Sequence, residues 1–320
     1  MHSFLFAVQS WQWRQVGDMA IARDSLGLAA VGGRLFAVGG GLDDGTHLAD
    51  VESFDPASGV WTKETPMPTS RSGLGVAEIE GSGLFAVGGR SNRGVVSTVE
   101  KFNGTWLTCT SMLTPRRNFG AATVGGTLYA IGGEDDHFTT LAASEAYDAR
   151  RDSWSPLPPM AAARMLHGVG VLDGQVYAVG GIGAGGEALD SVEVFDPARG
   201  KWKAGLPLTT RASVFGVASL AGRLYAVGGE GLSRTPQVFE KGGWSATPGL
   251  KGVLLAPGVG SLAGCVYVAG GNRAPPYNFY ALSPWLSQTK GGSGGGSAVA
   301  AVLALCEPAS QLSPEILTAA

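Results

Sequence analysis

A short segment ending in a Gly-Gly doublet returns six times along the chain, and no other feature limits the possible folds so sharply. It reads Arg34-Leu-Phe-Ala-Val-Gly-Gly40, Gly83-Leu-Phe-Ala-Val-Gly-Gly89 and Thr127-Leu-Tyr-Ala-Ile-Gly-Gly133. It returns as Gln175-Val-Tyr-Ala-Val-Gly-Gly181, Arg223-Leu-Tyr-Ala-Val-Gly-Gly229 and Cys265-Val-Tyr-Val-Ala-Gly-Gly271. The doublets Gly39-Gly40, Gly88-Gly89, Gly132-Gly133, Gly180-Gly181, Gly228-Gly229 and Gly270-Gly271 are spaced by 49, 44, 48, 48 and 42 residues. A period of roughly 40–50 residues marks an array of similar supersecondary units.

Each unit has four parts. An arginine (Arg23, Arg71, Arg116, Arg164, Arg211) precedes a small, Gly-containing apolar run, and the doublet segment follows. A Glu-x-aromatic stretch comes next (Glu52/Phe54, Glu100/Phe102, Glu145/Tyr147, Glu193/Phe195), and a tryptophan closes the unit (Trp61, Trp106, Trp154, Trp202, Trp244). Every part is short, rich in β-branched or aromatic residues, and bounded by Gly, Pro, Asp or Asn, which is the pattern of strands. Four short antiparallel strands per unit make one blade of a β-propeller. The expected fold is therefore all-β: a six-bladed propeller with four antiparallel strands per blade. Each doublet ends a strand where the backbone turns with positive φ. Each tryptophan is expected to wedge between blades as packing.

Composition narrows the function classes. The 51 glycines are dispersed through the 320 residues, as many turns and close strand approaches require. A net charge of -3 argues against a nucleic-acid partner, which favours a basic face. Three cysteines, Cys109, Cys265 and Cys306, are too few for a disulfide framework, so a reducing compartment is expected. The apolar run Ala298–Cys306 is nine residues, about half of a membrane span, and Met1–Ser10 lacks the basic region of a signal peptide. The reading is a protein with no membrane segment, cytoplasmic in location.

Enzyme-like motifs fail on context. Gly181-Ile-Gly-Ala-Gly-Gly186 has the form of a dinucleotide fingerprint, but a repeat strand follows it where a helix is required. Gly291-Gly-Ser-Gly-Gly295 has the form of a nucleophile elbow inside a Gly/Ser linker. His2, His47, His137 and His167 share no ligand spacing. No catalytic residue, metal or cofactor is expected.

The repeat resembles the kelch family, and in particular the kelch-like proteins with Tyr-Ala-Val-Gly-Gly and Val-Glu-x-Tyr-Asp-Pro signatures. Val51-Glu-Ser-Phe-Asp-Pro56 and Val192-Glu-Val-Phe-Asp-Pro197 carry it, and the resemblance covers about Trp13 to Leu282. It implies a protein-interaction module, as in substrate recognition for a cullin-type ubiquitin ligase. Such proteins usually join BTB and BACK helical domains to the propeller; here repeats begin near residue 11, so neither is expected. Alternatives within the family are an actin or cytoskeletal scaffold and the kelch-type enzymes, copper oxidases and sugar-acid epimerases. The resemblance further implies that Arg23, Arg71, Arg116, Arg164 and Arg211 line a pocket for acidic peptide motifs. The guanidinium fork suits carboxylates. The partner is expected to be a protein or acidic peptide, and the propeller a monomer.

The ends bear on closure. Trp13 lies ten residues before Arg23, the interval that also separates Trp61 from Arg71, Trp106 from Arg116 and Trp154 from Arg164. The N-terminal strand is therefore expected to complete the last blade, with Trp285 as a rival. Residues 1–287 are assigned to the propeller, and 288–320 to a Gly/Ser-rich linker and flexible tail.

Overall fold

The computed structural model describes residues 12–240, 242–273 and 298–306. Six four-stranded antiparallel sheets follow one another around a closed ring. Blade one comprises Gly27–Val31, Arg34–Val38, Val51–Asp55 and Val60–Lys63; blade two has Gly75–Ile79, Gly83–Val87, Val99–Phe102 and Trp106–Cys109. Blades three, four and five repeat the order, beginning at Gly120–Val124, Gly168–Leu172 and Gly216–Leu220. The first strand of each blade touches the first strands of its two neighbours, so these six strands surround the axis.

Crowding there explains the glycines. A Cβ on Gly120 would sit 1.9 Å from Cγ2 of Val169 in the next blade. The doublets turn as a left-handed backbone: Gly132 has φ +62°, and a Cβ there would lie 2.5 Å from the Arg164 carbonyl oxygen. The aromatic of the third strand faces the tryptophan of the fourth across the ladder, as in Tyr147 opposite Trp154 with ring centroids 5.1 Å apart. The indole N–H then donates to a carbonyl of the preceding blade: Trp106 to Thr65 at 2.9 Å, Trp154 to Thr110 at 3.0 Å, Trp202 to Pro158 at 2.9 Å and Trp244 to Leu206 at 3.0 Å. These four tryptophans are thus both wedges and polar latches between blades, whereas the Trp61 indole nitrogen of blade one is buried without a partner among the described residues.

Blade six is assembled from both ends of the chain. Its strands are Gly258–Leu262, Cys265–Ala269, Ala301–Cys306 and, outermost, Arg14–Asp18. Trp13 donates to the Pro248 carbonyl at 2.8 Å, the same latch as in blades two to five. The flexible tail expected over 288–320 is therefore corrected for 301–306, which supplies the third strand. That strand has to exist because Cys265–Ala269 would otherwise present an open edge, and Ala-Val-Leu-Ala-Leu-Cys is apolar enough to sit between two neighbours. Trp285 and the Gly/Ser linker lie outside the described residues. The cysteine reading is corrected too: Cys265 and Cys306 face each other in register and form a disulfide, while Cys109 is free. Among the described residues no helix is long and apolar enough to cross a membrane.

Candidate interaction face

The repeating arginines are not on a surface. Arg23, Arg71, Arg116 and Arg164 are all 0 % exposed. Each guanidinium enters its own blade and binds the glutamate of the third strand. The pairs are Arg71–Glu100 at 2.7 Å, Arg116–Glu145 at 2.6 Å, Arg164–Glu193 at 2.9 Å, and Arg23–Glu52. The other nitrogen of the fork ties the doublet in place: Arg116 Nη1 donates to the carbonyls of Gly132 and Ala143, both at 2.8 Å. Glu52, Glu145 and Glu193 also accept backbone N–H groups, as Glu145 does from Leu113 at 2.8 Å and Thr114 at 3.0 Å, and Glu100 accepts the Thr69 hydroxyl instead at 2.6 Å. Burial pulls all four guanidinium groups below their ordinary range, and the glutamates pull the other way. With no solvent contact and every carboxylate inside the blade, these four arginines cannot line a peptide pocket. The assignment of Arg23, Arg71, Arg116 and Arg164 to partner binding is corrected on that ground.

Arg211 differs again. It is exposed, and the residue that occupies the repeating position is its neighbour Ala212, fully buried. Ala212 stands four residues before Gly216 as Arg164 stands four before Gly168, and the doublet N–H of Gly181 donates to its carbonyl at 2.8 Å as Gly133 donates to that of Arg164. In blade six the position belongs to Leu254, not to Lys251 nearby. Arg211 is therefore out of register by one residue and belongs to no ring.

The groups that reach solvent come from the next positions along. The residue after each repeating position bridges to the residue after each doublet, giving Asp24/Gly41, Ser72/Arg90, Arg117/Glu134, Met165/Ile182, Ser213/Glu230 and Leu255/Asn272 in blades one to six. Rotation places these six bridges on one end of the disc. Inside them lies a ring of residues with positive φ: Ser25, Gly73, Asn118, Leu166, Val214 and Ala256. Each donates its N–H to the carbonyl of the one before, at 2.8–2.9 Å, and Ser25 to Ala256 closes the circle. This collar surrounds an axial cavity of about 110 Å³.

On the side of blades one to three the face brings two guanidinium groups, Arg90 and Arg117, together with His47. The Ser72 hydroxyl and His47 Nδ1 are 2.9 Å apart. Burial, then the charges of Arg90 and Arg117, hold the His47 imidazole below its ordinary pKa. Arg117 binds Glu134 at 3.1 Å, and its guanidinium lies 5.4 Å from the ring centre of Phe138. Phe138 is 51 % exposed and has φ +60°, a strained conformation for a bulky residue. Arg90, Arg117 and His47 were missed in the sequence because the repeat drew attention to the residues beside them. The available signal was a cation directly after a doublet (Gly89-Arg90) or directly after a repeating arginine (Arg116-Arg117). Among the described residues no group of three or more His, Cys, Asp or Glu is arranged to hold a metal ion.

Comparison with known proteins agrees with this architecture. The kelch motif matches residues 22–68, 115–161 and 163–205. Kelch-like ECH-associated protein 1B of Danio rerio is 34% identical over 106 residues, 31% of this chain and 18% of that protein. Kelch-like protein 35 of Mus musculus is 29% identical over 136 residues, 42% of this chain and 23% of that protein. The matched part thus spans about a fifth of the length of these relatives. In three dimensions the solved structure titled "Structure of YjhT" superposes with a TM-score of 0.75 over 91% of this chain and 97% of that one; at 14% identity it speaks for the fold alone. The chain is a six-bladed β-propeller that carries kelch motifs and is similar to the kelch domains of kelch-like proteins.

Proposed function

We propose that this propeller is a protein-interaction module whose bridge-and-collar face takes an acidic peptide segment. The observation that carries the reading is the convergence of His47, Arg90 and Arg117 from three successive blades: Ser72, which bridges to Arg90, lies 2.9 Å from His47 Nδ1, and Arg117 holds the equivalent bridge position in the next blade. Arg90 and Arg117 supply the positive potential at this concave mouth in a chain of net charge -3, and the His47 imidazole, its pKa lowered, sits beside them as a neutral ring. Exposed Phe138 beside Arg117 adds an aromatic anchor of the kind that dominates interfaces. By likeness to the kelch-like proteins, the partner is a substrate protein presented to a cullin-type ubiquitin ligase in the cytoplasm, with the propeller monomeric and without catalysis. The Cys265–Cys306 disulfide bears on location, since a reducing cytosol favours the dithiol. Trapping thiols at lysis would test it, because a fully oxidised pair argues for an oxidising compartment. The functional test is co-purification with the wild-type chain and with Arg90→Ala. Loss of a cullin-linked partner in the variant supports the reading, recovery of actin instead favours a cytoskeletal scaffold, and unchanged recovery in both removes this face from binding.

A further inference from the structure

The cationic sector covers only part of the mouth. In a six-fold ring blade two stands opposite blade five, so Arg90 faces Glu230 across the axis, with both residues at the same bridge position. Glu230 is half-buried, and no ion pair to it occurs among the described residues; burial pushes its carboxyl above the usual range. Its bridge partner Ser213 is only 1 % exposed, and the Ser213 hydroxyl finds no hydrogen-bond partner. In blade three the same two positions hold Arg117 and Glu134, which satisfy each other. Blade five thus keeps the acid of that pair and lacks its cation. Around the ring, Asn272 of blade six leaves Oδ1 buried without a partner, and Asp24 of blade one is raised by burial and by nearby Asp43. Blade four supplies only Met165 and Ile182 between the two walls.

We propose that the mouth takes an ampholytic segment, with an acidic side chain against His47, Arg90 and Arg117 and a lysine or arginine across the axis against Glu230. A half-buried carboxylate without a cation is costly, and a ligand ammonium there restores the pairing that blade three makes internally. An apolar residue between the two charges meets the Met165 and Ile182 sector. The inference rests on the acidic-segment reading above and adds the second charge to it.

The test titrates the full chain with labelled synthetic peptides. One set carries a Glu pair alone; a second adds one lysine placed roughly two to six residues away, a reach of about 7–20 Å at 3.3 Å per extended residue. At one spacing the lysine should tighten binding roughly tenfold, a coupling of the size seen for close interfacial charge pairs. Acetylating that lysine should abolish the gain without any change to the protein, and Glu230→Gln should reduce the gain towards onefold. No gain at any spacing, or a gain that survives both acetylation and Glu230→Gln, overturns the inference while leaving the acidic reading intact. If no Glu-bearing peptide binds the wild type, the acidic reading fails and this inference with it.

Discussion

Blades one to four place a guanidinium where blade five has the methyl group of Ala212 and blade six the side chain of Leu254. The acids change in step: Glu52, Glu100, Glu145 and Glu193 give way to Gln237, while Leu303 stands opposite Val268 in the last blade. Gln237 still accepts the N–H of Thr209 at 3.0 Å, the role that glutamate oxygens play in blades one, three and four. Fully buried Leu232 packs with Ala212 and Leu208 in blade five, and Leu254 packs with Leu250 and Leu303 in blade six. All six blades are otherwise alike in their four strands and in the collar of positive-φ residues. The ion pair is therefore one of two ways to fill the same space, and what the ring needs is a matched pair. This is the expected behaviour of buried ions: both partners can be exchanged for apolar groups, whereas one alone cannot be removed cheaply. Even in the charged blades Arg71, Arg116 and Arg164 leave Nε without a partner among the described residues, so the charged solution is not a perfect one.

The largest effect that separates the two regions should come from the seam in blade six. Truncating the chain after residue 297 removes the one sheet partner that Arg14–Asp18 has among the described residues and bares the edge of Cys265–Ala269. Cooperative thermal unfolding followed by circular dichroism should disappear. A truncated chain that melts like the full one would remove 301–306 from the blade. Next in size, Glu145→Ala should cost about 3–5 kcal/mol, because Arg116 keeps its buried charge and two N–H groups lose their acceptor. Gln237→Ala in blade five should cost only about 1–2 kcal/mol, the loss of one acceptor. Urea titrations of the two variants give the ratio, and equal losses would erase the distinction between blades. Arg164→Leu combined with Glu193→Leu converts a charged blade towards the apolar solution. The double variant should be more stable than Arg164→Leu alone, and strict additivity would deny the coupling.

A smaller effect concerns His167, which precedes Gly168 as Phe119 precedes Gly120 and Phe215 precedes Gly216. Neither ring nitrogen has a partner, and burial, aided by Arg164 and Arg116, lowers its pKa to about 3. The fold therefore holds the neutral ring. Its contribution is complete above the unfolded value of about 6.5 and is lost as pH falls from there towards 3, at up to about 1.4 kcal/mol per pH unit. His167→Phe should flatten the acid side of the stability curve, and an unchanged slope would assign that loss to other groups.

Much of the fold can be read from the repeat, since doublets, tryptophans and Glu-x-aromatic stretches each announce a strand by residue type alone. The third strand of blade six could not be read that way. Ala301–Cys306 has neither Glu nor aromatic and follows a Gly/Ser stretch, and its partnership with Cys265 depends on a contact 41 residues away. The arginines misled for a physical reason: a charge suggests solvent, and only tertiary packing shows that a glutamate waits inside. One clue was present, because Arg and Glu are 29 residues apart in all four charged blades. In blade five the exposed Arg211 lies beside Ala212, so composition alone shifts the register by one.

The proposed division of labour leaves the blades to the buried arginines and the partner to Arg90, one bridge position outwards. It is tested most directly by thermal melts and peptide titrations on Arg164→Ala and Arg90→Ala in parallel. Arg164→Ala should lose several kcal/mol of stability, because Glu193 is left buried without its cation. Arg90→Ala should melt within a degree or two of the wild type and bind a Glu-bearing peptide roughly tenfold more weakly. An Arg164→Ala protein as stable as the wild type but deficient in binding, beside an Arg90→Ala protein with full affinity, would contradict this division.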